Sequence, residues 1–105
     1  VVLTAPQAFR FTFAAQPERH VAAARMLAPG MERPADDADW LPLAVTDLMR
    51  DLGIPNGIGG VGYGENDISD LVEGSLKQQR LLATAPREVH AEDIAGIFER
   101  SISLW

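Results

Sequence analysis

Residues 57–62, Gly57-Ile58-Gly59-Gly60-Val61-Gly62, match the dinucleotide-binding pattern G-x-G-x-x-G letter for letter. Whether the chain folds around a parallel sheet or as a helical bundle turns on how these six residues are read. A nucleotide loop of this type follows a strand, opens a helix and lies in a βαβ unit. Upstream, however, stands DLMRDLG (47–53), amphipathic at helical period and not rich in β-branched residues. Downstream come Tyr63-Gly64 and then Glu65 and Asp67, carboxylates placed where the helix N-terminus should receive a pyrophosphate. Negative side chains there repel a phosphate. The stretch therefore predicts a tight helix-to-helix connector. In it, Ile54, Ile58, Val61 and Tyr63 turn inward, and the glycines take backbone angles other residues avoid.

Outward from the loop the pattern stays helical. ENDISDLVEGSLKQ (65–78) carries Ile68, Leu71, Val72, Ser75 and Leu76 as an apolar stripe behind an acidic first turn. On the other side, a helix from about Ala38 to Leu52 begins after Asp36, Asp37 and Asp39 and is stopped by Gly53. PERHVAAARML (17–27) is alanine-rich, has Pro17 in its first turn and ends at Pro29-Gly30. MERPADDAD (31–39) is the loop between these two helices. RLLATAPRE (80–88) is a connector, and a last helix runs from about His90 to Leu104. Its apolar side is Ile94, Ile97, Phe98, Ser101 and Ile102.

The opening VVLTAPQAFRFTFAAQ (1–16) fits two periods. Phe9, Phe11 and Phe13 alternate as in a half-buried strand, yet Thr4 with Gln7 makes a capping-box pattern and Pro6 suits a first helical turn. The helical reading is preferred, with Phe9 and Phe13 on one face. The fold class expected is thus all-α, a small helical bundle in one domain over 1–105.

Composition bounds the function. The chain has 105 residues, a net charge of −6, 47% hydrophobic residues and no cysteine. The acidic balance argues against nucleic acid and against an anionic membrane surface as partner. Without cysteine there is no disulfide, no thiolate metal site and no Cys nucleophile, a composition that suits a cytoplasmic protein. No apolar run is long enough to span a bilayer. A start on VVLTAP, without an initiator methionine, reads as that of a fragment.

Candidate chemistry is sparse. His20 and His90 are too far apart for local metal-ligand spacing and read as structural or surface residues. Asp36, Asp37 and Asp39 lack the glycine and distal glutamate of a calcium loop and read as a solvated helix start. Serines 69, 75, 101 and 103 lack a nucleophile-elbow context. Trp40 and Trp105 read as packing anchors at helix ends. In KQQRLL (77–82), Arg80 with Gln78 and Gln79 stands at a helix end facing a loop. Arg80 could hold a substrate carboxylate or simply complement the helix dipole. No catalytic, metal or cofactor site assembles within the chain, so by itself it reads as inactive.

VVLTAPQAFRFTF, PERH, DLGIP, VGYGENDISDLVEGSLKQQRLL and APREV..EDIAGIFERS together resemble the C-terminal part of iron-containing (group III) alcohol dehydrogenases, closest to the hydroxyacid–oxoacid transhydrogenase branch. The resemblance covers nearly the whole chain in order and spacing. It implies the C-terminal portion of a dehydroquinate-synthase-like helical domain. The parent would carry an N-terminal nucleotide-binding domain for NAD(P) and a divalent metal, iron or zinc, held by one aspartate and three histidines. All of those ligands lie upstream of the VVLTAP-like stretch, so no metal or cofactor ligand carries over, and His20 and His90 match none of them.

The KQQRLL segment matches the loop bordering the substrate pocket, which makes Arg80 a substrate-side residue with Gln79 and Gln78 as weaker candidates. The branch has an acidic residue where Gln79 stands. Val2 to Phe9 would pack close to the metal site. The intact parent would transfer hydride between a small alcohol or 2-hydroxyacid and nicotinamide, with the metal as Lewis acid. This chain would wall the cleft, inactive alone. The missing N-terminal domain and a second copy, in a homo-oligomer, are the partners expected. The alternative is a stand-alone helical interaction module derived from such a domain.

Overall fold

The computed structural model describes all 105 residues, Val1–Trp105, as helices and connecting turns. The helices are α1 (Ala5–Thr12), α2 (Pro17–Leu27), α3 (Trp40–Asp51), α4 (Ile68–Leu76), the single turn α5 (Gln79–Leu82) and α6 (Ala91–Arg100). α1 and α2 pack on α3, α4 packs on α6, and α1 also touches α6, joining the two groups. None of the helices is long and apolar enough to cross a membrane.

Local chemistry explains most boundaries. α1 forms because Pro6 occupies its first turn, where the missing N–H costs nothing. The strand alternative for Phe9–Phe13 is thereby excluded. The Thr4–Gln7 capping box does not form, because the Thr4 hydroxyl instead donates to the Val1 carbonyl at 3.1 Å, within a preceding 3₁₀ turn. α3 begins at Trp40 after a 3₁₀ turn over Asp37–Asp39, itself capped by Asp36 Oδ1 accepting from the Ala38 amide at 3.0 Å. It ends as expected at Gly53, whose φ of 73° lets its amide donate to the Arg50 carbonyl and the Ile54 amide to that of Met49. Those two bonds satisfy carbonyls the helix end would otherwise leave open.

α6 is shorter than its apolar pattern suggested and stops at Arg100. Its N-cap is His90, whose backbone amide donates to Asp93 Oδ2 at 2.9 Å. Residues 103–105 are not helical because their main chain is drawn onto Asn56.

The clearest core cluster is Ala24, Trp40 and Leu41, with Val21, Ala23, Met31 and Val45 packed against it. The guanidinium carbons of Arg25 and Arg33 lie 5.5 and 5.4 Å from the Trp40 ring centroid, roofing it with cation–π contacts. Ile68 and Ile94 are the buried residues of the α4–α6 pair. Trp40 is the anchor expected, whereas Trp105 is not: it lies half open beyond the last helix, with Arg50 5.7 Å from its ring.

The body is thin. Only 13 of 105 residues are buried, and the accessible surface is 6590 Å². A folded monomer of this mass exposes about 5,800 Å². The radius of gyration, 13.9 Å, likewise exceeds the roughly 12.9 Å usual for this length. Met26, Leu52 and Leu81 are correspondingly left in solvent.

Candidate functional site

The glycine loop shows why it cannot cradle a phosphate. A nucleotide loop needs main-chain N–H groups pointing outward and free. Here the Ile58 amide donates to the Ser101 carbonyl at 2.8 Å and the Gly59 amide to Ile102 at 2.9 Å. The amides of Gly60, Gly62 and Tyr63 are used within the loop, on Gly57, Gly59 and Ile58 carbonyls. Ahead of α4, the Gly64 amide donates to Asp67 Oδ2 at 2.9 Å, so a carboxylate already occupies that position.

The glycines serve close approach. A Cβ on Gly57 would stand 2.2 Å from the Ser101 carbonyl oxygen, and one on Gly59 would stand 2.5 Å from that of Ile102. The loop is a seat for the end of α6. Of the side chains expected to turn inward, Ile58 is buried and Ile54 partly so, but Val61 and Tyr63 face solvent. The reason is that the main chain, more than the side chains, makes the contact.

Neither histidine offers a metal a ligand set. His20 lies edge-on to Phe9 and Phe13, with ring centroids 6.2 and 5.9 Å away. Its Nδ1 meets the Gln16 carbonyl at 2.8 Å, which requires a proton there, and its Nε2 meets the Thr12 hydroxyl at 2.8 Å. Both nitrogens are thus spent on closing the α1–α2 corner. His90 is exposed, with Glu88 3.6 Å from its Nε2. The acidic residues before α3 take separate partners. Asp37 is held bidentately by Arg33 at 2.9 and 2.7 Å, Asp39 pairs with Arg10 at 2.9 Å, and Asp36 caps the turn. The Arg33 guanidinium holds the Asp37 carboxyl below the usual carboxylate range. No group of three His, Asp or Glu side chains converges on one point, so the residues present do not fit a divalent metal.

The segment singled out for substrate contact is differently built than expected. Arg80 is not at the end of a long helix: α4 stops at Leu76, and Gln79–Leu82 forms its own turn. Gln78, Gln79 and Arg80 are all exposed. The Gln79 amide donates to the Leu76 carbonyl at 2.5 Å, tying α5 to the end of α4. Gln79 also lines a cleft of about 350 Å³ with Leu76, Leu82, Arg87 and Val89, which neither Arg80 nor Gln78 enters.

Sequence reasoning passed over Arg87. Its Nη1 donates to the Phe11 carbonyl at 2.9 Å, and its guanidinium carbon stands 4.1 Å from the Phe11 ring centroid. It thereby ties the wall of this cleft to α1. Its partner is 76 residues away in the chain, so no local pattern could have marked it.

Comparison with known proteins agrees with this helical reading. The C-terminal sequence profile of the Fe-containing alcohol dehydrogenase family matches residues 1–102. The chain is 38% identical over its whole length to the mitochondrial hydroxyacid-oxoacid transhydrogenase of Rattus norvegicus, of which it covers 23%. It is 39% identical to that of Xenopus tropicalis, again covering 23%, and 32% identical to a probable one of Dictyostelium discoideum, covering 20%. The chain therefore spans under a quarter of the length of the curated relatives it matches. No solved structure matches it.

Proposed function

The chain belongs to the iron-containing alcohol dehydrogenase family, a family of oxidoreductases whose full-length members use a metal and NAD(P), and on that premise we propose that it is the C-terminal helical part of an alcohol or 2-hydroxyacid dehydrogenase. In this reading it walls the substrate cleft and is inactive alone, and the nucleotide and metal are held by an N-terminal partner region. The observation that carries the reading is a match covering all of this chain but under a quarter of its relatives. The donor chemistry supports it. The glycine-loop amides at 58–60 are engaged within the fold, and both His20 nitrogens have partners, which is in keeping with cofactors held elsewhere.

Within that reading Arg80 is the substrate-side cation, supported by its exposure and by Gln79 fixing the turn it stands on. Gln79 and Gln78 are secondary contacts. The substrate is a small alcohol or hydroxyacid, and the assembly is a homo-oligomer. We place it in the cytoplasm on the cysteine-free composition, whereas the relatives are named as mitochondrial; fractionation of the source cell decides between them.

The test is steady-state kinetics of the chain joined to its N-terminal region, wild type against Arg80→Ala. Loss of a charge-assisted bond to a carboxylate costs about 1.5–3 kcal/mol. The KM for a hydroxyacid should accordingly rise roughly tenfold or more, with metal content unchanged. An unaltered KM removes Arg80 from the site. Turnover by the 105-residue chain alone removes the larger reading.

A further inference from the structure

Asn56 and Gly57 form an Asn-Gly pair whose side chain has an unusual task. Asn56 Oδ1 accepts from the amides of Leu104 at 2.6 Å and Trp105 at 3.0 Å. Its Nδ2 donates to the Trp105 carbonyl at 2.6 Å and the Ser103 hydroxyl at 3.3 Å. One carboxamide thus holds three consecutive residues of the chain's last segment by four hydrogen bonds, and it needs both a donor and an acceptor end to do so. The residue after it is a glycine with φ of 69°, whose own amide donates to no main-chain carbonyl.

We propose that Asn56-Gly57 is a deamidation site gated by residues 103–105, which protect it while latched and lose their tie through the Trp105 carbonyl once it has reacted. Asparagine is among the thermolabile residues, and a following glycine presents no Cβ to hinder attack by its nitrogen. The Gly57 nitrogen attacks Asn56 Cγ. The new N–C bond forms, the Cγ–Nδ2 bond breaks, and ammonia leaves with the proton from the Gly57 amide. Water then opens the imide at either carbonyl, giving aspartate or isoaspartate. Ring closure requires the planar carboxamide to turn and become tetrahedral, which the four directed bonds oppose.

The products have lost both Nδ2 donors, so neither carboxylate can donate to the Trp105 carbonyl again. Acceleration, with the Leu104 and Trp105 amides on Oδ1 acting as an oxyanion hole, is the opposite outcome, and the experiment separates the two.

Deamidation of residues 54–58 is followed by peptide mass spectrometry at mildly alkaline pH, with isoaspartate read by enzymatic methylation. The wild-type chain should react about tenfold or more slowly than the isolated peptide, because local opening limits access. Truncation after Ile102 should bring the rate toward that of the peptide while far-UV circular dichroism stays helical. A wild-type rate equal to the peptide's, or a truncated chain that reacts at the wild-type rate or slower, overturns the proposal. Should truncation unfold the chain, the wild type alone decides. Its deamidation on warming should track hydrogen exchange at the Leu104 and Trp105 amides. Tracking only global loss of helix overturns the gate.

Discussion

Replacing Gly57 by alanine isolates the reason this loop is rich in glycine. Its φ of 69° with ψ of −173° is a backbone conformation essentially reserved for glycine, in which an alanine costs roughly 1–3 kcal/mol. The added Cβ would also lie 2.2 Å from the Ser101 oxygen and 2.7 Å from that of Ile102, both main-chain atoms. Relief therefore requires the end of α6 to move away. That movement weakens the Ile58–Ser101 and Gly59–Ile102 hydrogen bonds, each worth about 1 kcal/mol. The combined loss is about 3–5 kcal/mol once the overlap is included.

Two internal controls set the scale. Gly62 has φ of 99° but open space around a Cβ, so Gly62→Ala should cost only the conformational share of about 1–2 kcal/mol. Gly74 lies within α4, also with open space, and Gly74→Ala should stabilise by about 1 kcal/mol. Urea unfolding followed by circular dichroism reads all three. With a slope of about 1–3 kcal/mol per molar, Gly57→Ala should lower the midpoint by at least roughly 1 M. A Gly57→Ala variant no weaker than Gly62→Ala would refute the seat, because backbone strain alone would then explain the glycine.

Three further outcomes follow from the geometry. Trp40→Ala should cost about 3–5 kcal/mol, as expected for truncating a buried aromatic at the centre of a small core, and a loss under 1 kcal/mol by urea unfolding would place the core elsewhere. Asp37 has its carboxyl pKa lowered by Arg33, so the pair's stabilising effect is full above the ordinary aspartate value of 3.8 and fades as pH falls through the lowered folded value. Asp37→Asn should therefore flatten the acid limb of stability against pH, and an unchanged limb would show that the exposed pair contributes nothing. Val1, Val2 and Phe9 share the N-terminal segment and stand open; the chain should self-associate at high concentration, and light scattering that reports a monomer throughout counts against it.

Much of the fold was legible because its signals are local. Apolar stripes at helical period, Pro6 and Pro17 in first turns, and Gly53 after α3 each act within one or two turns of chain. The glycine loop was legible as a connector for the same reason, since helix precedes it and carboxylates follow. The misreadings share a different cause. The Thr4–Gln7 cap, inward Val61 and Tyr63, and a last helix reaching Leu104 were all inferred from neighbours in sequence. In the fold, Thr4 turns to Val1 and the end of α6 is captured by residues 56–59.

The candidate site was less legible still. Residues 78–80 could be picked out by their resemblance to a pocket-bordering loop. Their separate turn, the Gln79–Leu76 tie and the Arg87 strut onto Phe11 could not. By itself the sequence determined that this is a helical chain whose glycine-rich stretch connects two helices, because periodicity, capping chemistry and charge placement act over a few residues, while the oxidoreductase family was legible only as a resemblance. Only the tertiary structure decided why the glycines are there and where the last residues go. Those depend on two pieces of main chain, more than forty positions apart, approaching more closely than any side chain permits.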